Sequence, residues 1–273
     1  MPLALLARCL AVAVVLGIYA WSLSVLGTQR KAPATPELLV TTPRVVQIIF
    51  SAGDRYLAAN LAGFRVLVAE TGRMTPADYA VQAKLQKDIS WLNPAHEDNY
   101  YIAANILPWG GEVDASEEVM RLAVIARPMD FLPAFHVGFI QYHFRRSPAE
   151  GAKWIMIAAE KAVDPADQWG LQTIAAKWTE LGYDTNTAAQ LVDAMAASAP
   201  PGGFRSYLQQ RAKRLHSLAR LREAARLFSL RHGGAPSQLS DLVADGLLPE
   251  IPHDPIGAGF TLTPSGEPVF KSN

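Results

Sequence analysis

The sequence predicts a mainly α-helical protein with an N-terminal transmembrane helix, an α-solenoid of helix–turn–helix repeats, and a small C-terminal β-hairpin. Three observations predict this architecture. Residues 9–26 are apolar and carry no charge. Prolines recur about every 34 residues through the middle of the chain. Near the carboxyl end, turn-forming residues separate two short β-prone segments.

Composition narrows the class of protein. The chain has 273 residues, of which 50% are hydrophobic and 18% are charged, so it is too apolar for an intrinsically disordered protein. Lysine plus arginine and aspartate plus glutamate both total 25, and a chain without net charge lacks the basic field that nucleic-acid binding requires. Its single cysteine excludes an internal disulfide framework and a cysteine-rich metal site.

The N-terminal run CLAVAVVLGIYAWSLSVL covers residues 9–26. As a helix it is about 27 Å long, close to the thickness of the hydrocarbon layer. A cleaved signal peptide would need small residues at its cleavage site, which the following LGTQRK does not offer. A lipoprotein would need a small residue before Cys9, where Arg8 stands. We therefore expect an uncleaved signal anchor in residues 1–30 that contacts the lipid bilayer through residues 9–26.

The charges that flank the anchor nearly balance. Arg8 precedes it and Arg30 and Lys31 follow it, so the positive-inside rule hardly separates the two orientations. The absence of other cysteines suits an oxidising compartment. We expect a single-pass protein with its body outside the cytoplasm.

A linker and a long helix are expected next. Residues 31–43 are rich in proline and threonine, which is typical of a semi-extended linker. Residues 44–71 contain no proline and repeat apolar residues at helical spacing, so they predict one helix at the start of a body that runs from 44 to 203. Asp54 and Arg55 in that helix form a buried ion pair or face water; the sequence leaves both open.

The strongest pattern is the spacing of Pro94, Pro128, Pro165 and Pro200, which are 34, 37 and 35 residues apart. Each proline follows an apolar-periodic segment, as expected where a helix ends. A recurrence near 34 residues predicts helix–turn–helix repeats, each too small to bury its own apolar side.

The repeats resemble the tetratricopeptide repeat (TPR) family. With Pro128 as a closing proline, the family's bulky and small positions are filled by Tyr100, Ala103, Ala104, Leu107, Met120, Ala123 and, in the next unit, Gly138. A third unit runs from about Ala166 to Ala199 with a turn at 182–184. Two departures weaken the match: Ser116 replaces an alanine, and the second unit is three residues too long.

The resemblance implies a concave groove lined by the first helix of each unit. The residues it places there, and that we expect to bind a protein partner, are Asp98, Tyr101, Asn105, Phe135, Tyr142, Trp169 and Gln172. Phe139 lies among them. The alternative is that these aromatic residues form the core between repeats. Some TPR grooves hold a peptide carboxylate with paired lysine and asparagine, but Tyr101 occupies the lysine position, so that clamp is not expected.

The carboxyl-terminal part, residues 204–273, predicts a capping helix and a small hairpin. Residues 204–232 contain seven arginines and apolar residues at helical spacing, followed by Gly233 and Gly234. This helix caps the repeats, or it binds anionic lipid or an acidic partner. A short helix is expected over 237–244, and a β-hairpin turns at 264–267 between the segments 260–263 and 268–270.

This end of the chain resembles the carboxyl end of type II secretion pseudopilins. The matching residues are Leu227, Gly234, Pro236, Leu239, Leu242, Pro252, Asp254, Pro255 and Gly257. The resemblance implies a place at the bacterial cell envelope, so we expect the inner membrane. The prepilin cleavage motif is absent, so the chain is not expected to be a pilin. Asp254 and Glu267 are too few ligands for calcium.

The sequence contains none of the common phosphate-binding, nucleophile or zinc-protease motifs. His136 and His143 lie on one helical face, but no carboxylate completes a metal site, and His136 is expected in the core or lining the groove. We therefore expect no enzyme activity, no cofactor and no metal.

The predicted function is a membrane-tethered TPR-like scaffold or adaptor for a protein partner. The alternative is a permanent non-catalytic accessory subunit of a larger membrane complex, and an enzyme is a third hypothesis.

Overall fold

A computed structural model of the protein describes residues 12–22, 24–25, 41–69, 72, 74–257 and 259–271. Residues 12–22 and 24–25 are helical. The predicted membrane span falls partly outside this set, because residues 9–11, 23 and 26 are not described, and neither are residues 31–40 of the linker. Within the described residues, no helix has both the length and the apolar character needed to cross a bilayer.

The body is mainly helical, as predicted, and it carries one small antiparallel sheet. Its helices and strands are α1 (Arg44–Phe50), α2 (Arg55–Leu67), α3 (Pro76–Leu92), α4 (Glu97–Ile106), α5 (Val113–Ala126), α6 (Leu132–His143), α7 (Pro148–Lys161), α8 (Pro165–Gly182), α9 (Thr185–Ser198), α10 (Gly203–His232), α11 (Leu239–Ala244), β1 (Phe260–Leu262) and β2 (Pro268–Phe270).

The prediction of one helix over residues 44–71 was wrong. The chain turns between α1 and α2, where Ala52 and Gly53 have positive φ angles of 53° and 89°. Asp54 then caps α2, because its carboxylate accepts hydrogen bonds from the backbone N–H groups of Tyr56 and Leu57. Asp54 therefore faces water, while the Arg55 Nε donates to the Leu92 carbonyl oxygen at 2.6 Å. A glycine turn and an aspartate cap together replace the helical continuation.

The helix ends predicted from the prolines are confirmed. Pro94, Pro128 and Pro200 each follow the end of a helix by one or two residues, and Pro165 opens α8 just after α7 has ended. Residues 75–199 contain helices and short connections and no strand. The proline period therefore marks the connections between successive helical hairpins.

The α6–α7 hairpin packs tightly at two glycines. A Cβ atom at Gly138 would lie 2.9 Å from Ile155 Cδ1 and 3.1 Å from the Gly151 carbonyl oxygen. A larger residue there would require the Ile155 side chain or the α7 backbone to shift. Gly138 therefore allows α6 and α7 to pack closely. Buried Tyr100, Met120 and Ile140 pack together between α4, α5 and α6.

The carboxyl-terminal segment folds back on α10. That helix ends at Gly233, which adopts the left-handed conformation at φ 68°. The predicted hairpin is confirmed, with Phe260 opposite Phe270 and Leu262 opposite Pro268. Phe270 packs against the apolar cluster that α9 and α10 share. The hairpin thus covers one side of the last long helix.

Candidate functional site

The open side of α6 carries a row of aromatic rings. Residue spacings of three, four and seven bring them to one side of the helix. We call this row the α6 aromatic strip; it consists of Phe135, His136, Phe139, Tyr142 and His143, all half-buried. The opposite side of α6 is fully buried and carries smaller residues, among them Ala134, Val137 and Gly138. The helix therefore turns its largest rings toward its more open side.

One end of the strip is extended by the loop between α4 and α5. The His143 ring stacks on Phe139 with a centroid distance of 5.3 Å and an interplanar angle of 6°. Trp109 of the loop lies 5.3 Å from His143 and 4.9 Å from Phe144, centroid to centroid. The Trp109 side chain is nevertheless 62% exposed. A large indole supported by two rings and open to solvent is a suitable contact for a partner.

The other end of the strip meets α4. Tyr101 contacts His136 edge to face, with ring centroids 6.5 Å apart. Behind Tyr101 stacks the buried ring of Tyr100, whose hydroxyl donates to Asp130 Oδ2 at 2.6 Å. Asp130 also accepts from Arg127 Nε at 2.8 Å and from the Leu132 backbone N–H at 3.0 Å. The Asp130 carboxylate thus holds Tyr100 in place, and Tyr100 in turn supports Tyr101 at this end of the strip.

These contacts set the protonation of the groups around the strip. Burial lowers the pKa of His136, and the nearby Asp130 carboxylate opposes this only in part. Burial alone would raise the pKa of Asp130, but the hydrogen bonds from Tyr100, Arg127 and the Leu132 N–H outweigh it and lower that pKa. Burial raises the pKa of Tyr100, and its bond to Asp130 adds to the shift. At neutral pH His136 is therefore uncharged, which suits an apolar ligand surface.

The predicted site residues of α4 lie on one side of that helix. Asp98 and Asn105 are exposed on the same side of α4 as half-buried Tyr101. The Asn105 Nδ2 donates to the Tyr101 carbonyl oxygen at 2.7 Å. Phe135 reaches this group through His136, with ring centroids 5.5 Å apart. The structure therefore brings the α4 residues and Phe135 together.

The remaining predicted residues belong to other contacts. Tyr142 stacks on Trp178 of α8 at 4.2 Å, so it packs α6 against α8. Trp169 stacks on Phe204 of α10 at 6.0 Å and is 50% exposed. Gln172 is half-buried, and its Oε1 has no hydrogen-bond partner within the described residues. Trp169 thus lies where α8 approaches α10, beyond the strip, and Gln172 follows it three residues later on α8.

Sequence reasoning did not include four of the site's aromatic residues. His143, Trp109, Phe144 and Trp178 are absent from the predicted set, although His136 was expected in the core or groove. The seven-residue spacing of His136 and His143 around Phe139 was a usable signal. The position of Trp109 had no such signal, because it depends on the path of the loop between α4 and α5.

No group of three or more histidine, cysteine, aspartate or glutamate side chains within the described residues is placed to hold a metal ion. The Asp254 carboxylate accepts from the backbone N–H groups of Ile256 and Gly259 and pairs with Arg214.

Comparisons of the chain with models of known protein families, with curated proteins and with solved structures give no match.

Proposed function

We propose that this protein is a membrane-tethered, TPR-like scaffold or adaptor that binds a protein partner at the bacterial cell envelope. The observation that carries the proposal is the α6 aromatic strip with its exposed neighbour Trp109. Aromatic side chains that are already held by stacking lose little entropy on binding, and tyrosine and tryptophan are frequent in interface hot spots.

Contacts between alternate helices support the TPR-like arrangement. Tyr101 and His136 connect α4 to α6, Tyr142 and Trp178 connect α6 to α8, and Trp169 and Phe204 connect α8 to α10. In stacked helical hairpins the first helix of each unit lines one common side. Because α4, α6 and α8 are the first helices of the three predicted units, a partner on this side would touch all three.

The tether is the proposed anchor in residues 1–30. Its described residues, 12–22 and 24–25, are helical, and apolar side chains such as Val15, Leu16, Ile18 and Trp21 are exposed there. Large apolar side chains exposed on all sides of a helix suit a lipid environment. We expect the full chain to stay in the membrane fraction after carbonate washing with its N-terminus intact. A soluble form that begins near Lys31 would contradict the anchor.

The binding surface is tested by affinity purification of the full chain from detergent-solubilised membranes. Partners that co-purify are identified, and their affinity is then measured for variants. We expect Trp109→Ala and Trp169→Ala each to weaken binding by about 1–3 kcal/mol, with little change in melting temperature, since both indoles are largely exposed. Ile125→Ala, at an exposed position of α5, serves as the control.

Tyr142 has a structural role in addition to its proposed role in binding. Its stacking on Trp178 means that Tyr142→Ala lowers the melting temperature as well as any binding. Unchanged affinity in both tryptophan variants would contradict the proposed surface. If the chain is recovered only in a stoichiometric, inseparable complex, the alternative of a permanent accessory subunit is favoured instead.

A further inference from the structure

Helix α2 faces its neighbours with small residues and faces outward with large apolar ones. Ala58, Ala59, Ala62 and Val66 are its buried residues and pack against α3. Its outward residues, together with the last residue of α1, are each at least 44% exposed. We call this surface the α2 apolar face; it consists of Phe50, Leu57, Leu61, Phe64, Leu67 and Val68. A helix at a protein–water boundary normally buries its large apolar side chains and exposes polar ones.

The face is continuous. Leu57, Leu61, Phe64 and Val68 are spaced by four, three and four residues, so they form one stripe along α2. Phe50 of α1 joins the stripe, because it lines the same shallow cavity of about 150 Å³ as Leu61. Contiguous exposed apolar surfaces of this kind usually contact a partner or a membrane.

The charges around the face favour a lipid surface. Residues 41–69 contain three basic residues, Arg44, Arg55 and Arg65, and a single acidic residue, Asp54. Arg44 pairs with Asp88 of α3, which also pairs with Lys84, so the balance of charge stays positive. The Asp54 carboxylate is engaged by the first turn of α2. A net positive, amphipathic helix with leucine and phenylalanine on one side is typical of elements that lie in the interface of anionic membranes.

The position of the face in the chain also favours the bilayer. Eighteen residues, 26–43, lie in the sequence between Val25, the last described residue of the N-terminal part, and α1. A chain of that length spans at most about 60 Å when fully extended. If the N-terminal segment is embedded, α1 and α2 are therefore the first elements of the body that can return to the same membrane, and the tether keeps them near it.

We propose that the α2 apolar face docks on the bilayer that holds the anchor, with its leucine and phenylalanine side chains at the boundary between headgroups and acyl chains. The inference rests on the proposed membrane tether and adds a second membrane contact to it. Docking would hold the body against the membrane in one orientation, which in turn fixes the direction of the α6 aromatic strip.

The test places a fluorophore on the face of the full chain. In a Cys9→Ser background, Phe64→Cys is labelled with the polarity-sensitive dye NBD, and the protein is reconstituted in phosphatidylethanolamine–phosphatidylglycerol vesicles. Doxyl-labelled phosphatidylcholine then reports contact with acyl chains. Ile125→Cys, at a 78% exposed position of α5, is the matched control. Circular dichroism confirms that both labelled chains keep their helical content.

We expect a blue-shifted emission and loss of most of the fluorescence by doxyl lipid at position 64, with neither effect at position 125. Water-like emission at position 64 overturns the proposal. So does a blue shift without doxyl quenching, since it shows contact with protein, including a second copy of the chain. Carbonate extraction of the same vesicles tests the anchor separately. A chain that carbonate releases, yet that is quenched at position 64 before release, loses the anchor and retains the docking face.

Discussion

The helices at the two ends of the helical body differ in the side chains that they bury and expose. At the carboxyl end, α10 buries Leu208, Leu215 and Leu221, and each of the seven arginines between residues 204 and 232 contacts a protein oxygen. At the amino end, α2 buries alanines and exposes leucine and phenylalanine. A stack of repeats needs a polar outer surface at its ends if water surrounds it. The carboxyl end has that surface, and the described residues of the amino end do not.

The arginines of α10 also decide between the two interpretations of that helix. Arg211 pairs with Glu180 of α8, Arg222 donates to the Pro268 carbonyl oxygen, and Arg231 pairs with Asp245. Bonds to α8, to the hairpin and to the segment after α11 hold these arginines against the rest of the carboxyl-terminal part. The structure therefore favours the capping helix, and the membrane contacts that we propose lie at the other end of the body.

The largest expected effect comes from breaking the carboxyl-terminal cover at Asp254. Its side chain is 1% exposed and lies 3.1 Å from Arg214 Nε, while the Arg214 guanidinium lies 3.8 Å from the centre of the Phe270 ring. Asp254→Ala leaves Arg214 without its counter-charge. It also removes the carboxylate that accepts hydrogen bonds from the backbone N–H groups of Ile256 and Gly259. We expect a loss of about 3–5 kcal/mol in the free energy of unfolding, measured by urea unfolding of the detergent-solubilised chain.

The control for Asp254→Ala is an exposed ion pair on α10, the helix that carries Arg214. Glu223 pairs with Arg226 one turn away, and both side chains are more than half exposed. Glu223→Ala is therefore expected to leave the unfolding midpoint nearly unchanged. Equal losses for Asp254→Ala and Glu223→Ala would show that the loop after α11 does not hold the carboxyl end.

The second prediction compares one apolar residue from each end. Leu221 of α10 is fully buried, and Leu221→Ala is expected to cost about 2–5 kcal/mol of folding stability because it leaves a cavity. Phe64 of α2 is 63% exposed, and Phe64→Ala is expected to change stability in detergent by about 0.5 kcal/mol or less. The same urea titration measures both. A large loss for Phe64→Ala would mean that the α2 apolar face is part of the folded core.

The smallest effect is a pH dependence in the middle of the stack. The folded pKa of His136 is below its ordinary value of 6.5 because the half-buried ring is partly withdrawn from water. Its contribution to stability is therefore complete above pH 6.5 and is lost as the pH falls through 6.5 toward the folded value, since the unfolded chain takes up the proton first. The loss is at most about 1.4 kcal/mol for each pH unit.

This dependence is measured by unfolding midpoints between pH 7.5 and pH 5, approximately the range over which an ordinary histidine titrates. His136→Leu is expected to show a flatter profile than the natural chain, and His253→Gln, an exposed histidine of the carboxyl-terminal loop, serves as the control. Protonation of Asp130 affects the unfolding midpoint only at lower pH, because its pKa is below the ordinary value of 3.8. Parallel profiles for the natural chain and His136→Leu would contradict the buried, uncharged imidazole.

Local rules in the sequence were sufficient for most helix ends. Proline after Leu92, Ala126 and Ser198 and glycine after His232 act within one or two turns, so their effect does not depend on distant residues. The same holds for the hairpin turn at 264–267. The missed break at 51–53 was also local, and the sequence Ala-Gly-Asp before Arg55 contained its signal.

What the sequence by itself determined is the helical class, the proline-marked hairpins and the C-terminal hairpin, since these follow from periodicity, capping and backbone restriction. Only the tertiary structure decided which side of each helix is covered. Tyr142 meets Trp178, Trp109 meets His143, and Asp254 meets Arg214 across 30 residues or more. Such pairs depend on how the helices cross, and the crossing is set by contacts between helices, such as that of Gly138 with Ile155, rather than within one helix.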